Sequence, residues 1–255
     1  MTTSIDGTAL VLEGGGMRAA YTSAVIVKML GLGWKFPHVS GISAGSSLTA
    51  NYISRDPERT RLSFTDFAAD PRFGNLGTWL AGRGYFDGEY IYQRTAEPHQ
   101  ALPFDFLTFC ASSQAFRIGA TRTSDGEQEW FTREDMKTMD DLMARIRASS
   151  TMPGFMPPVT IEGVEYVDGA LGTQVAFLST ALNSTATTGS SSSVPGLAAT
   201  SKMRSNALRR FDSCSDAVLA SPRQPSHDQP STTLPVRCCA TSSQTGKLTS
   251  SIHAS

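Results

Sequence analysis

The sequence predicts an α/β fold in which helices cover a mostly parallel central sheet. Ala9-Leu10-Val11-Leu12 has the length of a buried strand, and apolar residues at helical spacing follow from Ala20 to Leu30. Phe36 to Ile42 is typical of a second strand and precedes a stretch suited to a second helix, Ala44 to Ser54. Strands and helices that alternate in this order favour a parallel sheet with helices on its faces.

Later segments add two β-hairpins and a helix to this core. Asp125-Gly126 lies between two apolar runs and is a hairpin signal, and Gly163 joins a second pair of runs. Residues 55–100 show no regular pattern, which indicates short helices and loops. The first hairpin, the helix and the second hairpin are expected at 116–131, 140–149 and 159–167.

The composition changes after Val175. Residues 1–175 carry 15 basic and 20 acidic groups, a normal mixture for a packed domain. Residues 176–255 contain 18 Ser and 10 Thr, lack Glu, Trp and Tyr, and carry seven basic and three acidic groups. Such a segment buries too little apolar surface to offset its chain entropy. We therefore predict a folded domain over 1–175 and a disordered or frame-shifted Ser/Thr-rich tail over 176–255.

Net charge and terminal sequence restrict the class of protein. A formal net charge of -1 argues against a nucleic-acid-binding protein, which needs a basic face. No apolar run approaches the roughly 20 residues of a membrane span, and the first six residues lack the regions of a secretory signal, so we expect a cytoplasmic protein. Cys238-Cys239 has neither CxxC spacing nor a nearby histidine, so no metal site is expected.

The motif Gly41-Ile42-Ser43-Ala44-Gly45 lies between the second predicted strand and its helix. In that context the flanking glycines allow a tight turn that exposes Ser43 as a nucleophile, with the positive helix N-terminus beside it. The competing interpretation is a helix N-cap, because Ser is a favoured capping residue.

The glycine run Gly14-Gly15-Gly16 connects the first strand to its helix and offers backbone N–H groups to a developing negative charge. Arg18 opposes the helix dipole, so an anion or a carbonyl is its expected partner. The run also fits a loose dinucleotide fingerprint, which requires an acidic residue about 20 residues further on. No Asp or Glu lies between Glu13 and Asp56, and no P-loop sequence occurs, so no nucleotide is expected.

A third motif, Asp168-Gly169-Ala170, ends the second hairpin. Asp168 is the candidate base for Ser43 if the hairpin packs beside the second strand and so brings it to the same edge of the sheet. Partial desolvation would raise its pKa. The competing interpretation is an ordinary turn residue in an Asp-Gly pair.

Taken in order, these motifs and Ala148-Ser149-Ser150 with Pro153 resemble the bacterial patatin-like phospholipases over roughly residues 8–174. The resemblance implies a three-layer α/β/α sandwich, here incomplete on its C-terminal side, and a Ser-Asp dyad that hydrolyses acyl esters of lipids without a cofactor. Ser43 would be the nucleophile, Asp168 the base, and the loop from Gly14 to Arg18 the oxyanion hole. Ala19 stands where the family usually has glycine.

Two alternatives stay open. One is a catalytically inactive lipid-binding or regulatory protein of the same fold. The other is a Ser-His-Asp hydrolase, which would have to use His227 or His253 in the tail. The resemblance also implies a lipid or acyl-ester substrate and allows peripheral membrane contact. Trp79-Leu80 and Tyr85-Phe86 could face lipid, although such residues more often lie in a core.

Overall fold

Strands and helices alternate along residues 2–172, the part of the chain that the computed structural model describes. The predicted tail, 176–255, lies outside these residues. The strands are β1 (Thr3–Ser4), β2 (Ala9–Leu12), β3 (Trp34–Lys35), β4 (His38–Ile42), β5 (Ala115–Arg122), β6 (Gln128–Phe131), β7 (Val159–Ile161) and β8 (Val164–Asp168). The helices are α1 (Ala19–Gly31), α2 (Ala44–Ile53), α3 (Pro57–Leu62), α4 (Leu76–Leu80), α5 (Gly88–Tyr92), α6 (Phe106–Ala111) and α7 (Met139–Ser149).

The central sheet has six strands and a parallel core. Strands β2, β4 and β5 are parallel neighbours, while β6, β7 and β8 join by antiparallel pairing. A separate parallel pair is formed by β1 and β3. The α/β class, the βαβα start and both hairpins predicted from the sequence are confirmed. Short helices and 3-10 turns occupy residues 55–100, as expected.

Strands β4 and β8 pair with the same edge of β5, one after the other. Residues 118–121 of β5 pair with β6 along one edge, so their partners in β4 and β8 lie along the other. Ile42, the last residue of β4, is opposite Gly119, and Asp168, the last residue of β8, is opposite Ala120. Because β4 is parallel and β8 antiparallel to β5, their carboxyl ends meet head to head.

Burial explains the local sequence of the two elements around this meeting point. All five residues of β4 are buried, the polar His38 and Ser40 among them, so neither face of this strand is exposed to solvent. Helix α2 packs against β2, β4 and β5, and every one of its residues except Ser47 is buried. Within residues 2–172, none of the helices combines the length and apolar character needed to cross a bilayer.

Candidate active site

Ser43 lies in the turn between β4 and α2, in a backbone conformation that L-residues rarely adopt. Its φ is 53° and its ψ is -130°, and it occupies the N-cap position of α2 without a side-chain cap hydrogen bond. The capping interpretation is therefore wrong. Strain of this kind at a strand-to-helix turn is typical of a nucleophile elbow. The sequence predicted an exposed serine, but only 8% of the Ser43 surface is accessible, because the residue lies in the wall of a cavity.

Gly45 allows this turn to pass close to the neighbouring strand. A Cβ atom at position 45 would collide with the backbone carbonyl of Leu12, the last residue of β2. A Cβ atom at Gly41 would in turn collide with the carbonyl of Gly45. Both predicted elbow glycines are thus required by backbone contacts around Ser43 rather than by flexibility.

Asp168 lies directly opposite Ser43. The Ser43 hydroxyl donates a hydrogen bond to Asp168 Oδ2 over 2.6 Å, and Asp168 Oδ1 accepts a bond from the N–H of Ala170 over 2.9 Å. The bond from Ala170 is the turn contact expected of an Asp-Gly pair. Asp168 Oδ1 therefore stabilises the turn that begins at Gly169, while Oδ2 accepts the bond from Ser43. Burial raises the pKa of the Asp168 carboxyl above its ordinary value, although the bonds from Ser43 and Ala170 act to lower it.

The C-terminal end of α7 and the two residues that follow it hold both residues of this pair. Ser149 accepts the backbone N–H of Ser43 at its Oγ (2.9 Å) and at its carbonyl (3.1 Å), and its hydroxyl donates to the carbonyl of Gly119 (2.6 Å). Two residues later, the carbonyl of Thr151 accepts the backbone N–H of Asp168 over 2.8 Å. One short segment therefore sets the positions of two residues that are 125 positions apart in sequence.

The glycine run lies beside the serine. A Cβ atom at Gly14 would lie 2.8 Å from Ser43 Cβ, so the loop backbone approaches the hydroxyl closely. Gly15 and Gly16 have φ values of 152° and 55°, which only glycine adopts without strain. Arg18 is exposed and its Nε donates to the carbonyl of Gly15 over 3.4 Å. The sequence predicted an anion or a carbonyl as the partner of Arg18, and the carbonyl that Arg18 bonds belongs to the same glycine loop.

An apolar cavity of about 290 Å³ opens at Ser43. Gly16 and Met17 lie at its wall next to the serine. The remaining wall comes mostly from aromatic, aliphatic and methionine side chains, among them Phe64, Phe67, Phe86, Met143, Ile146 and Met156. A concave, mostly apolar cavity with a few polar groups is the usual form of a small-molecule site.

An exposed apolar surface lies next to this cavity. The ring of Phe86, which lines the cavity, lies 5.1 Å from the ring of Tyr85 and 5.9 Å from that of Phe155, measured between centroids. Tyr85 and Phe155 are exposed, and so are Trp79 and Leu80 on α4. The expectation that Trp79, Leu80 and Tyr85 belong to the core is therefore wrong, because Trp79 and Leu80 on α4 and Tyr85 in the segment that follows it are all exposed.

Residues 2–172 hold no cluster of His, Cys, Asp and Glu side chains suited to a metal ion. His227 and His253, required by the Ser-His-Asp alternative, lie outside the described residues. In a Ser-His-Asp triad an imidazole separates the serine from the carboxylate, whereas here the two groups bond directly.

Several residues of the site were not singled out by their chemistry in the sequence. Ser149 belonged to a recognised motif, but its bonds to Ser43 depend on a contact across the sheet. Thr151 showed no signal, because it contributes only its carbonyl. Arg59 and Asn51, which also line the cavity, resemble surface residues in a polar stretch.

The fold and the site together define an α/β protein with a serine elbow, an adjoining glycine loop and a carboxylate bonded to the serine. The family model described as "Patatin-like phospholipase" matches residues 10–180. The chain belongs to the patatin-like phospholipase family, as its motifs indicated.

Two further proteins resemble the chain. The "Uncharacterized protein YjjU" of Escherichia coli (strain K12) is 27% identical over 165 residues, a match that covers 64% of this chain and 45% of YjjU. The crystal structure of VipD from Legionella pneumophila covers 64% of this chain and 46% of VipD, with 14% identity and a TM-score of 0.39. The chain thus matches less than half the length of each.

Proposed function

We propose that this protein is a serine acyl hydrolase that acts on lipid esters, with Ser43 as the nucleophile and Asp168 as the base. The observation that carries the proposal is the 2.6 Å hydrogen bond from the Ser43 hydroxyl to Asp168 Oδ2, at an elbow that opens into an apolar cavity. Family membership supports the same chemistry. We also propose that residues 1–175 form the hydrolase domain.

In the first half of the reaction, Ser43 Oγ attacks the ester carbonyl carbon while Asp168 takes the hydroxyl proton. The carbonyl oxygen becomes an oxyanion beside the loop of Gly14, Gly15 and Gly16, whose backbone N–H groups stabilise it. Arg18 holds the loop through the carbonyl of Gly15. Loss of one oxyanion donor typically lowers the rate about 10²- to 10³-fold. Collapse of this intermediate breaks the ester C–O bond, and the leaving alcohol takes the proton from Asp168.

In the second half, water attacks the carbonyl carbon of the acyl-serine and Asp168 takes its proton. The second tetrahedral intermediate releases the carboxylic acid and returns the proton to Ser43 Oγ. A carboxylate in water is a weak base, but burial raises the pKa of Asp168 and makes it a better proton acceptor. Direct contact between Asp168 and Ser43 favours this two-residue scheme over a histidine-dependent one.

The apolar surface next to the cavity supports peripheral contact with a lipid layer. Tyr85 and Phe155 flank the cavity-lining Phe86 and are exposed, and Trp79 and Leu80 on α4 are 55% and 74% exposed. Exposed large apolar side chains can mark a membrane-contact surface. Vesicle sedimentation tests this contact, and a Trp79→Ala, Leu80→Ala double variant should bind vesicles less well.

The central experiment combines a fluorophosphonate probe with hydrolysis of p-nitrophenyl esters of short and long acyl chains. Wild type should be labelled and should hydrolyse the esters, whereas Ser43→Ala should do neither and should keep the circular dichroism spectrum of wild type. The exposed Ser113 provides the control, because Ser113→Ala removes a hydroxyl outside the site. Labelling of Ser43→Ala would refute the assignment of the nucleophile. A folded wild type that is neither labelled nor active would favour the inactive lipid-binding alternative.

A further inference from the structure

The wall of the cavity carries a polar pair some distance from the serine. Asn51 lies on α2 eight residues after Ser43, which corresponds to about 12 Å along a helix axis. Arg59 of α3 lies beside it, and its Nε donates to Asn51 Oδ1 over 3.0 Å. Both residues line the same cavity as Ser43.

This pair has unused hydrogen-bond donors. Arg59 is only 9% exposed and Asn51 only 2%, yet neither Arg59 Nη1 nor Asn51 Nδ2 has a hydrogen-bond partner within the described residues. A buried donor without a partner is unfavourable, and more so when the group is charged, so a ligand that accepts hydrogen bonds from these groups would be stabilised here.

The charge of Arg59 is also poorly compensated. No Asp or Glu lies among the cavity-lining residues of the described chain, and Arg59 is the only Lys or Arg among them. The acidic residue that interacts electrostatically with the guanidinium is Asp56. Its Oδ1 also caps α3 by accepting the Arg59 backbone N–H. The guanidinium lies 5.2 Å from the ring centroid of Phe104, a further sign of an apolar setting. Burial lowers the pKa of Arg59 to about 10, so the group stays charged at neutral pH.

We propose that Arg59 and Asn51 form a subsite for a carboxylate, and that the preferred substrates are esters whose acyl chain ends in one. A guanidinium and an amide present planar N–H donors that match the two oxygens of a carboxylate. The apolar wall between Ser43 and this pair suits the methylene chain that joins the ester to the carboxylate. The separation along α2 disfavours an anionic group only a few bonds from the ester, such as a glycerol phosphate.

The inference rests on the proposed hydrolase function, so its test includes a measurement that does not need catalysis. In the Ser43→Ala background, binding of monomethyl suberate and methyl octanoate is followed by calorimetry. The acyl chains of these esters have the same number of carbons, and only monomethyl suberate carries a carboxylate, at the far end of its chain. Monomethyl suberate should bind at least about tenfold more tightly, as expected for hydrogen bonds to a charged group.

An Arg59→Met, Asn51→Leu double variant should abolish this preference. Both partners of the buried bond are replaced together, because removal of one would leave the other unpaired. Arg61→Met on the same helix is the control, because Arg61 is exposed and bonds Asp66 instead. Circular dichroism confirms that each variant is folded. If the double variant does not fold, Arg59→Gln, which removes the charge but keeps a polar group, should reduce the preference.

Hydrolysis then separates the two proposals. With Ser43 intact, the mono-p-nitrophenyl ester of suberate should have a higher kcat/KM than p-nitrophenyl octanoate, and the double variant should reverse the order. Equal binding of monomethyl suberate and methyl octanoate, or a preference unaffected by the double variant, would overturn the subsite. Arg59-dependent binding of monomethyl suberate without hydrolysis of either p-nitrophenyl ester would support the subsite while contradicting the hydrolase function.

Discussion

The backbone N–H of Ser43 is shared between two acceptors of Ser149, the hydroxyl oxygen at 2.9 Å and the carbonyl oxygen at 3.1 Å. Ser149 is fully buried, and its own hydroxyl proton goes to the carbonyl of Gly119 on β5. The elbow is thus anchored to the strand against which β4 and β8 meet. A residue that never touches substrate in this arrangement still sets the direction of the nucleophile.

The first prediction concerns this anchor. Ser149→Ala removes the hydroxyl and leaves the carbonyl of Gly119 without its donor, which should lower the free energy of unfolding by about 1–3 kcal/mol. Turnover should fall about tenfold or more, because small displacements of a nucleophile are costly. Chemical denaturation and ester hydrolysis measure the two effects. Ser113→Ala is the control, and unchanged turnover in a destabilised Ser149→Ala would show that the anchor serves stability alone.

The second prediction concerns the tight contact between α2 and β2. Gly45→Ala places a methyl group against the carbonyl of Leu12, and backbone atoms cannot move aside easily. We expect a loss of several kcal/mol in the free energy of unfolding and loss of probe labelling at Ser43. Gly31→Ala at the end of α1 is the matched control, because no atom lies within 4 Å of the added Cβ. Equal thermal stability of the two variants would contradict the steric argument.

The third prediction concerns the proton acceptor. Asp168→Asn keeps the size of the side chain but removes its charge, so turnover should fall about 10²- to 10⁴-fold, the usual range for loss of a general base. In wild type the carboxylate must be deprotonated to act, so kcat/KM should rise with pH through the pKa of Asp168. Since burial raises that pKa, the acidic limb should lie above the ordinary carboxyl range. Near-normal turnover in Asp168→Asn would point to another base.

The fourth prediction concerns the stability cost of the same carboxyl. Its folded-state pKa lies above its unfolded value, so the folded protein binds the proton more tightly and stability falls as pH rises through this interval. At neutral pH the full cost is present, and Asp168→Asn removes it. We therefore expect the inactive variant to be at least as stable as wild type at neutral pH, measured by chemical denaturation. A marked loss of stability would instead show that the hydrogen bonds of Asp168 outweigh its burial.

The fifth prediction concerns His38 at the start of β4. Burial, followed by the charge of Arg117, lowers the pKa of His38 to about 4, and its Nε2 atom is buried without a partner among the described residues. The imidazole must stay neutral in the folded state, so its contribution to stability is present above its unfolded pKa of 6.5 and is lost as pH falls toward 4.

Wild type should lose up to about 3 kcal/mol of unfolding free energy through His38 over this interval. His38→Gln should flatten that part of the stability–pH curve, measured by urea denaturation at each pH. His99→Gln serves as the control for removal of a histidine from an exposed position. A curve for His38→Gln as steep as that of wild type would assign the acid sensitivity to other groups.

Sequence reasoning located the elements of the site because their signals are local. Gly41 and Gly45 around Ser43, and Asp168 before Gly169, lie within a few residues of a strand end, where turn chemistry and apolar periodicity can be recognised. The competing interpretations also depended on local patterns. The Ser43 side chain makes no capping hydrogen bond. Asp168 has both expected roles, because one oxygen accepts the turn N–H of Ala170 and the other accepts the Ser43 hydroxyl.

By itself the sequence determined the α/β class, the order of strands and helices, and the residues placed at strand ends. The sequence predicted that the second hairpin would pack beside β4. Only the tertiary structure decided that β8 pairs with β5 instead, and that the ends of β4 and β8 meet there, which brings Asp168 to Ser43. It also decided that Arg59, in a helix of polar sequence, is buried in the cavity wall. The physical reason is that strand register and burial arise from contacts between segments up to 125 residues apart, whereas propensity and periodicity act over a few residues.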